Sequence, residues 1–204
     1  MERRPIKTRS RNWAHQLSAA LIRTGRTPNQ VSLLGIVFGL AAGALLLRWA
    51  SLPFCLLIAA ACIQLRLLCN MLDGLMAVEG GRKSPTGDLF NELPDRIEDI
   101  AILVGAGYAA RCPALGWAAA LAAVVTAYVR AFGGALGQPQ DFCGPMAKPH
   151  RMFVVTLGCL GTAIELWLGR QPIALSVALI IVLAGAILTA ARRTLHLARA
   201  LETK

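Results

Sequence analysis

Asn70 and Asp73 stand three residues apart, and Asn91, Asp95 and Asp99 follow one another at four-residue steps. On a helix each set lines one face, so two neighbouring helices could aim these oxygens at each other. Seven of the eleven acidic residues, Asp73, Glu79, Asp88, Glu92, Asp95, Glu98 and Asp99, fall in this one stretch. It joins two long apolar segments, where an unpaired carboxylate costs several kcal/mol to desolvate. Such a cluster needs counter-charge, and hard oxygen donors select Mg²⁺, Mn²⁺ or Ca²⁺ over zinc.

The elements that must position these groups are predicted to be membrane helices. The chain has 204 residues, of which 56% are hydrophobic, and a mean hydropathy of +0.57, which exceeds the range of a soluble domain. Apolar spans are predicted at about Val31–Leu47, Leu52–Val78, Gly87–Ala110, Ala114–Phe132, Met152–Leu168 and from after Pro172 to Ala191, each suited to a hydrocarbon core of ~30 Å. The fold class expected is an all-α integral membrane protein of six transmembrane helices. An amphipathic helix over 12–24, with Trp13, Leu17, Ala20 and Leu21 on one face, is expected to lie in the interface before them. Thr27-Pro28-Asn29 supplies a cap and a proline for the first span. The chain reads as one domain over 1–204, with 1–27 the interfacial segment and 28–197 the bundle.

Six crossings put both termini on one side. That side carries the basic N-terminus, Arg23, Arg26, Arg82, Lys83, Lys148, Arg151, Arg192, Arg193, Arg199 and Lys204, against Arg48, Arg111 and Arg170 on the other. By lysine and arginine bias the first side is cytoplasmic, and the acidic cluster lies there. The net charge of +10 suits an anionic membrane surface or phosphate-bearing substrates. No aromatic–basic pattern for nucleic acid is present, so none is expected as a partner.

The stretch from Asn70 to Asp95 resembles the signature of the CDP-alcohol phosphatidyltransferases, D-x2-D-G-x2-A-R-x8-G-x3-D-x3-D. Asp73, Gly74, Ala77, Gly87 and Asp95 match in register, while the first and third aspartates are Asn70 and Asn91 and the arginine is Val78. The resemblance implies six spans, a homodimer in the inner membrane, and transfer of a phosphatidyl group from a CDP-linked lipid to an alcohol, with release of CMP. It further implies Mg²⁺ or Mn²⁺ held by Asn70, Asp73, Asn91 and Asp95, with Asp95 also the base, and a nucleotide pocket lined by Gly74, Ala77 and Gly87. Lys148 and Arg151 would meet substrate phosphates, and Arg82 or Lys83 would replace the missing arginine. The two asparagines remove two negative charges, which weakens cation binding unless Asp88, Glu92, Glu98 or Asp99 supplies them. Two alternatives stay open: a catalytically weakened relative that binds CDP-lipid, and a small membrane transporter.

Other polar residues read more plainly. Arg66, four residues before Asn70, is placed to neutralise the acidic cluster, and Arg130 is expected to snorkel. Pro94 is expected to kink its helix. Cys55, Cys62 and Cys69 recur every seven residues as helix packing positions, and neither the six cysteines nor His15, His150 and His196 show metal-ligand spacing. Glu165 is expected at the far interface.

Overall fold

The computed structural model describes residues 12–49, 52–79 and 87–202. The side chains of Trp49 and of residues 87–91 lie outside that description, as do Arg82, Lys83 and the N-terminal arginines. Among the described residues every regular element is a helix: α1 (Asn12–Arg23), α2 (Pro28–Trp49), α3 (Pro53–Glu79), α4 (Gly87–Ala109), α5 (Pro113–Ala135), α6 (Lys148–Trp167) and α7 (Ala174–Glu202). Four of them, α2, α3, α5 and α7, are long and apolar enough to cross a membrane by themselves. α4 and α6 carry their charges within the helix and do not reach that composition.

Helix starts are written locally. Thr27 and Gln30 form a reciprocal cap on α2: the Gln30 N–H donates to Thr27 Oγ1 at 3.3 Å, and the Thr27 N–H to Gln30 Oε1 at 3.2 Å. This satisfies two donors that the first turn leaves unpaired. Pro28, Pro53, Pro113 and Pro149 occupy first turns, where a missing N–H costs nothing. The start of α7 is capped from α6. Glu165 Oε2 accepts the N–H groups of Ile173 and Ala174 at 2.8 and 3.0 Å, and Thr162 Oγ1 that of Leu175 at 3.1 Å.

The six long helices close into a ring in the order α2, α3, α6, α7, α5, α4 and back to α2. Leu46, Leu56, Ile63, Ile102, Leu103, Met152, Val155, Leu175 and Leu179 are buried at its centre, interleaved with alanines. Along the α2–α4 seam a Cβ on Gly43 would stand 2.7 Å from the Ala101 carbonyl oxygen, and one on Gly105 only 2.6 Å from the Gly43 carbonyl. Backbones therefore meet there directly, as small residues allow in membrane bundles. α1 packs on α3 through buried Ala14 and Ser18, while Trp13 and Leu17 face outward. The last helix runs on past Arg192 to Glu202 instead of ending near Ala191, because Thr189 and Arg193 are buried against the α5–α6 loop.

Candidate functional site

The ring converges its charges at one end. α3 contributes Arg66, Asn70 and Asp73, α4 contributes Asp95, Glu98 and Asp99, α6 begins with Lys148 and Arg151, and α2 adds Ser32. Helical periodicity places each set on the inward face. Arg66, Asp73, Glu98, Asp99 and Arg151 are all buried.

Arg66 is the hub. Its Nε donates to Glu98, its Nη2 lies 2.9 Å from Asp99 Oδ1, and the same nitrogen donates to the Asp95 carbonyl at 3.2 Å. Arg151 holds the other Asp99 oxygen, donating from Nη2 at 2.7 Å, and its Nη1 reaches the Met146 carbonyl at 3.0 Å and Thr126 Oγ1 at 3.3 Å. Glu98 fits because α2 has a glycine opposite it: a Cβ on Gly39 would lie 2.7 Å from Glu98 Cγ. Removing one member of such a buried pair costs about 3–5 kcal/mol, since the other charge is left without compensation.

Asp95 lies nearer the surface. Its Oδ1 accepts from Asn70 Nδ2 at 2.8 Å and from the Lys148 ammonium, and its Oδ2 lies 3.6 Å from Arg96 Nη2. Asp73 is held differently: Ser32 Oγ donates to its Oδ2 at 2.7 Å. Arg66, Arg96, Lys148 and Arg151 gather on Asp95, Glu98 and Asp99, whereas Asp73 has no ion-pair partner among the described residues.

This donor set fits a hard divalent cation. Two carboxylates, Asp73 and Asp95, and the amide of Asn70 are gathered at one end of the ring, and Asp95 already binds a cationic group in Lys148. A metal there would compete with that ammonium and would need Asn70 to present its oxygen in place of its nitrogen. The charge lost at Asn70 is not restored by Asp99 or Glu98, both engaged by arginines. Glu92 is likewise taken: Arg130 Nη2 donates to both of its oxygens at 2.6 Å.

The expected site residues divide accordingly. Asn70, Asp73, Asp95 and Lys148 come together, Gly74 is buried beside Asp73, and Ala77 lies one turn further along α3. Gly87 lies in the first turn of α4, and the side chains of Asp88 and Asn91 lie outside the described residues. Arg151 is inside the bundle, 2% exposed. Arg130 does not snorkel. It pairs with Glu92 and sits 5.5 Å over the Phe142 ring, because α4 and the α5–α6 loop bring both within its reach. Pro94 lies inside α4, which nevertheless runs on from Gly87 to Ala109; it removes one backbone bond without ending the helix. Sequence reasoning missed Ser32; it placed Arg66 against the acidic cluster, and the structure gives Glu98 and Asp99 as its partners.

A ring of apolar helices that buries facing carboxylates and cations at one end defines the class: an all-helical membrane protein whose site handles charged, oxygen-rich ligands. No family model matches the chain. Phosphatidylinositol phosphate synthase of Mycobacterium tuberculosis is 33% identical over 150 residues, covering 70% of this chain and 66% of the synthase. The inner membrane protein YnbA of Escherichia coli K12 is 28% identical over 166 residues, covering 79% of this chain and 81% of YnbA. The crystal structure of the M. tuberculosis synthase with CDP-DAG bound superposes with a TM-score of 0.73 at 26% identity, over 90% of this chain and 92% of that one. Its complex with manganese and citrate gives the same TM-score, over 90% and 88%. The chain belongs to the CDP-alcohol phosphatidyltransferase family.

Proposed function

We propose that this protein transfers a phosphatidyl group from a CDP-linked lipid such as CDP-diacylglycerol to an alcohol, releasing CMP. The observation that carries the reading is the meeting of Asn70 and Asp73 on α3 with Asp95 on α4 and Lys148 on α6, in a bundle superposable on a synthase with CDP-DAG bound. Asn70, Asp73, Asn91 and Asp95 would hold Mg²⁺ or Mn²⁺, which when bound offsets the charge of a diphosphate and orients its leaving group. Asp95 is the base. Its carboxylate accepts the proton of the attacking hydroxyl as the new bond forms. Gly74, Ala77 and Gly87 leave room for a nucleotide beside the α3 and α4 backbones.

Lys148 and Arg151 serve the substrate phosphates in different ways. Lys148, with 17% of its side chain exposed, meets them directly. Arg151, buried on Asp99, keeps the start of α6 seated on α4. An anionic, phosphate-bearing acceptor suits a site entered past Lys148. Beside it lies a cavity of about 530 Å³ lined by the Glu92–Arg130 ion pair, two glutamines and small apolar residues. Arg96 connects that cavity to the site, its Nη2 lying 3.8 Å from Glu92 and 3.6 Å from Asp95.

The reading carries a topology: six crossings by α2–α7, an interfacial α1, both termini and the site on the cytoplasmic face of the inner membrane, one domain over 1–204, and a homodimer. The lysine and arginine asymmetry supports the orientation, and the outward Trp13 and Leu17 support the placement of α1.

The test is CMP release from CDP-diacylglycerol by purified protein in detergent with Mg²⁺ or Mn²⁺. Acceptors to compare are glycerol 3-phosphate, inositol phosphate and serine. CMP formation that EDTA and Asp95→Asn both abolish supports the reading. A second reading, a CDP-lipid binder without turnover, is favoured by the Asn70 amide and by the ammonium on Asp95. CDP-lipid binding with no CMP from any acceptor would establish it instead.

A further inference from the structure

Where the loop after α5 meets the end of α7, three side chains of different ligand chemistry come together. Asp141 and Cys143 belong to the loop between α5 and α6, and His196 to the last turns of α7, 55 residues from Asp141. Their ligand atoms all lie within 4.8 Å of one another, and among the described residues no other group of three histidine, cysteine or acidic side chains does so. One Asp141 oxygen, Oδ1, accepts the Cys143 N–H at 2.7 Å, which orients the carboxylate. The other, Oδ2, lies 3.1 Å from both Cys143 Sγ and His196 Nδ1. A tetrahedral zinc ion with ordinary bond lengths would separate sulfur from oxygen by roughly 3.6 Å and nitrogen from oxygen by roughly 3.4 Å. The two contacts to Oδ2 thus need open by no more than roughly half an ångström to admit one.

The loop is held to α7 independently of these three side chains. Arg193 Nε donates to the Cys143 carbonyl at 3.0 Å, and the Met146 N–H donates to Thr189 Oγ1 at 3.0 Å. The ligands are therefore presented by a fixed backbone.

We propose that Asp141, Cys143 and His196 form a zinc site that clips the α5–α6 loop to α7, distinct from the oxygen-rich site between α3 and α4. A thiolate, an imidazole and one carboxylate suit a borderline-soft cation, whereas Mg²⁺ prefers all-oxygen surroundings. On binding, Cys143 loses its thiol proton to solvent and Sγ takes up the metal in its place. His196 is exposed, so the fourth position is left to water. The loop leads directly into Lys148 and Arg151, so the clip fixes the segment that delivers those cations to Asp95 and Asp99.

The experiment uses the full chain, purified in detergent under reducing conditions and stripped with a chelator. Titration with Co²⁺ is expected to give one equivalent of tetrahedral d–d absorption with a near-ultraviolet sulfur-to-cobalt charge-transfer band, displaced by Zn²⁺ and unaffected by Mg²⁺. Cys143→Ser is expected to remove that band, and His196→Ala to weaken Co²⁺ binding roughly 10-fold or more, since even outer-shell losses cost that much. The unmodified chain supplies a second readout: Zn²⁺ is expected to slow alkylation of Cys143, followed by mass spectrometry. Absence of the charge-transfer band, its survival in Cys143→Ser, or alkylation of Cys143 at the same rate with and without Zn²⁺ would each overturn the site.

Discussion

Two donors, Asn70 and Lys148, bond the Asp95 carboxylate, and Arg66 and Arg96 lie within ion-pair reach at 3.6 Å each. Any cation recruited there must displace a positive charge already in place. At short range and an effective dielectric near 20, one unit charge is worth about 4 kcal/mol before screening and desolvation reduce it. Lys148→Met is therefore expected to tighten Mn²⁺ binding about 10-fold or more while lowering CMP release, a split visible by titration under electron paramagnetic resonance. Asn70→Asp should tighten Mn²⁺ in the same assay, and no change in either variant would remove the competition argued above. Arg66 presents the converse case. With Glu98 left unpaired and Asp99 held by Arg151 alone, Arg66→Met is expected to lose about 3–5 kcal/mol of stability, read as a lowered thermal midpoint in detergent.

At the level of the helix, seams and caps hold the bundle together. α2 and α4 meet backbone to backbone at Gly43 and Gly105, so a side chain at Gly105 must push the pair apart. Gly105→Val should destabilise by about 1–3 kcal/mol or more, as overpacking does, and should also loosen Glu98 from Gly39 two turns away. Thermal unfolding followed by intrinsic fluorescence checks it, and an unchanged midpoint would mean that the seam can open freely. Glu165 closes the α6–α7 corner by capping two N–H groups. Replacing it by alanine is expected to cost about 0.5–2 kcal/mol, the usual range for a lost cap.

For the molecule as a whole, the prediction is sidedness. Single cysteines placed at Arg111 or Arg170 in a cysteine-free background should react with an impermeant maleimide added outside intact cells, and one at Lys204 only after permeabilisation. The reverse pattern would put the Asp73–Asp95 site on the wrong face for a cytoplasmic nucleotide-linked donor. The closed ring also explains why the site sits where it does. Helices far apart in the chain, α3 and α6, become neighbours only through closure, and that contact brings Lys148 to Asp95.

Local chemistry is why much of this was legible beforehand. Hydropathy set the helices to within a few residues at most ends, proline and Thr27 marked their starts, and helical spacing put Asn70, Asp73 and Asp95 on inward faces. The Asp73-Gly74, Gly87 and Asp95 register carried the family. Partner choice was not legible, because it depends on distances between segments that no spacing encodes. Whether Asp99 and Glu98 were spare charges or already spent on Arg66 and Arg151, whether Arg130 met lipid or Glu92, and whether Cys143 and His196 were isolated or adjacent were all decided by closure of the ring. Short-range preferences follow from neighbours in the chain. The electrostatics of a buried site follow from neighbours in space, and a charge in a low-dielectric interior takes its role from whichever counter-charge folding delivers to it.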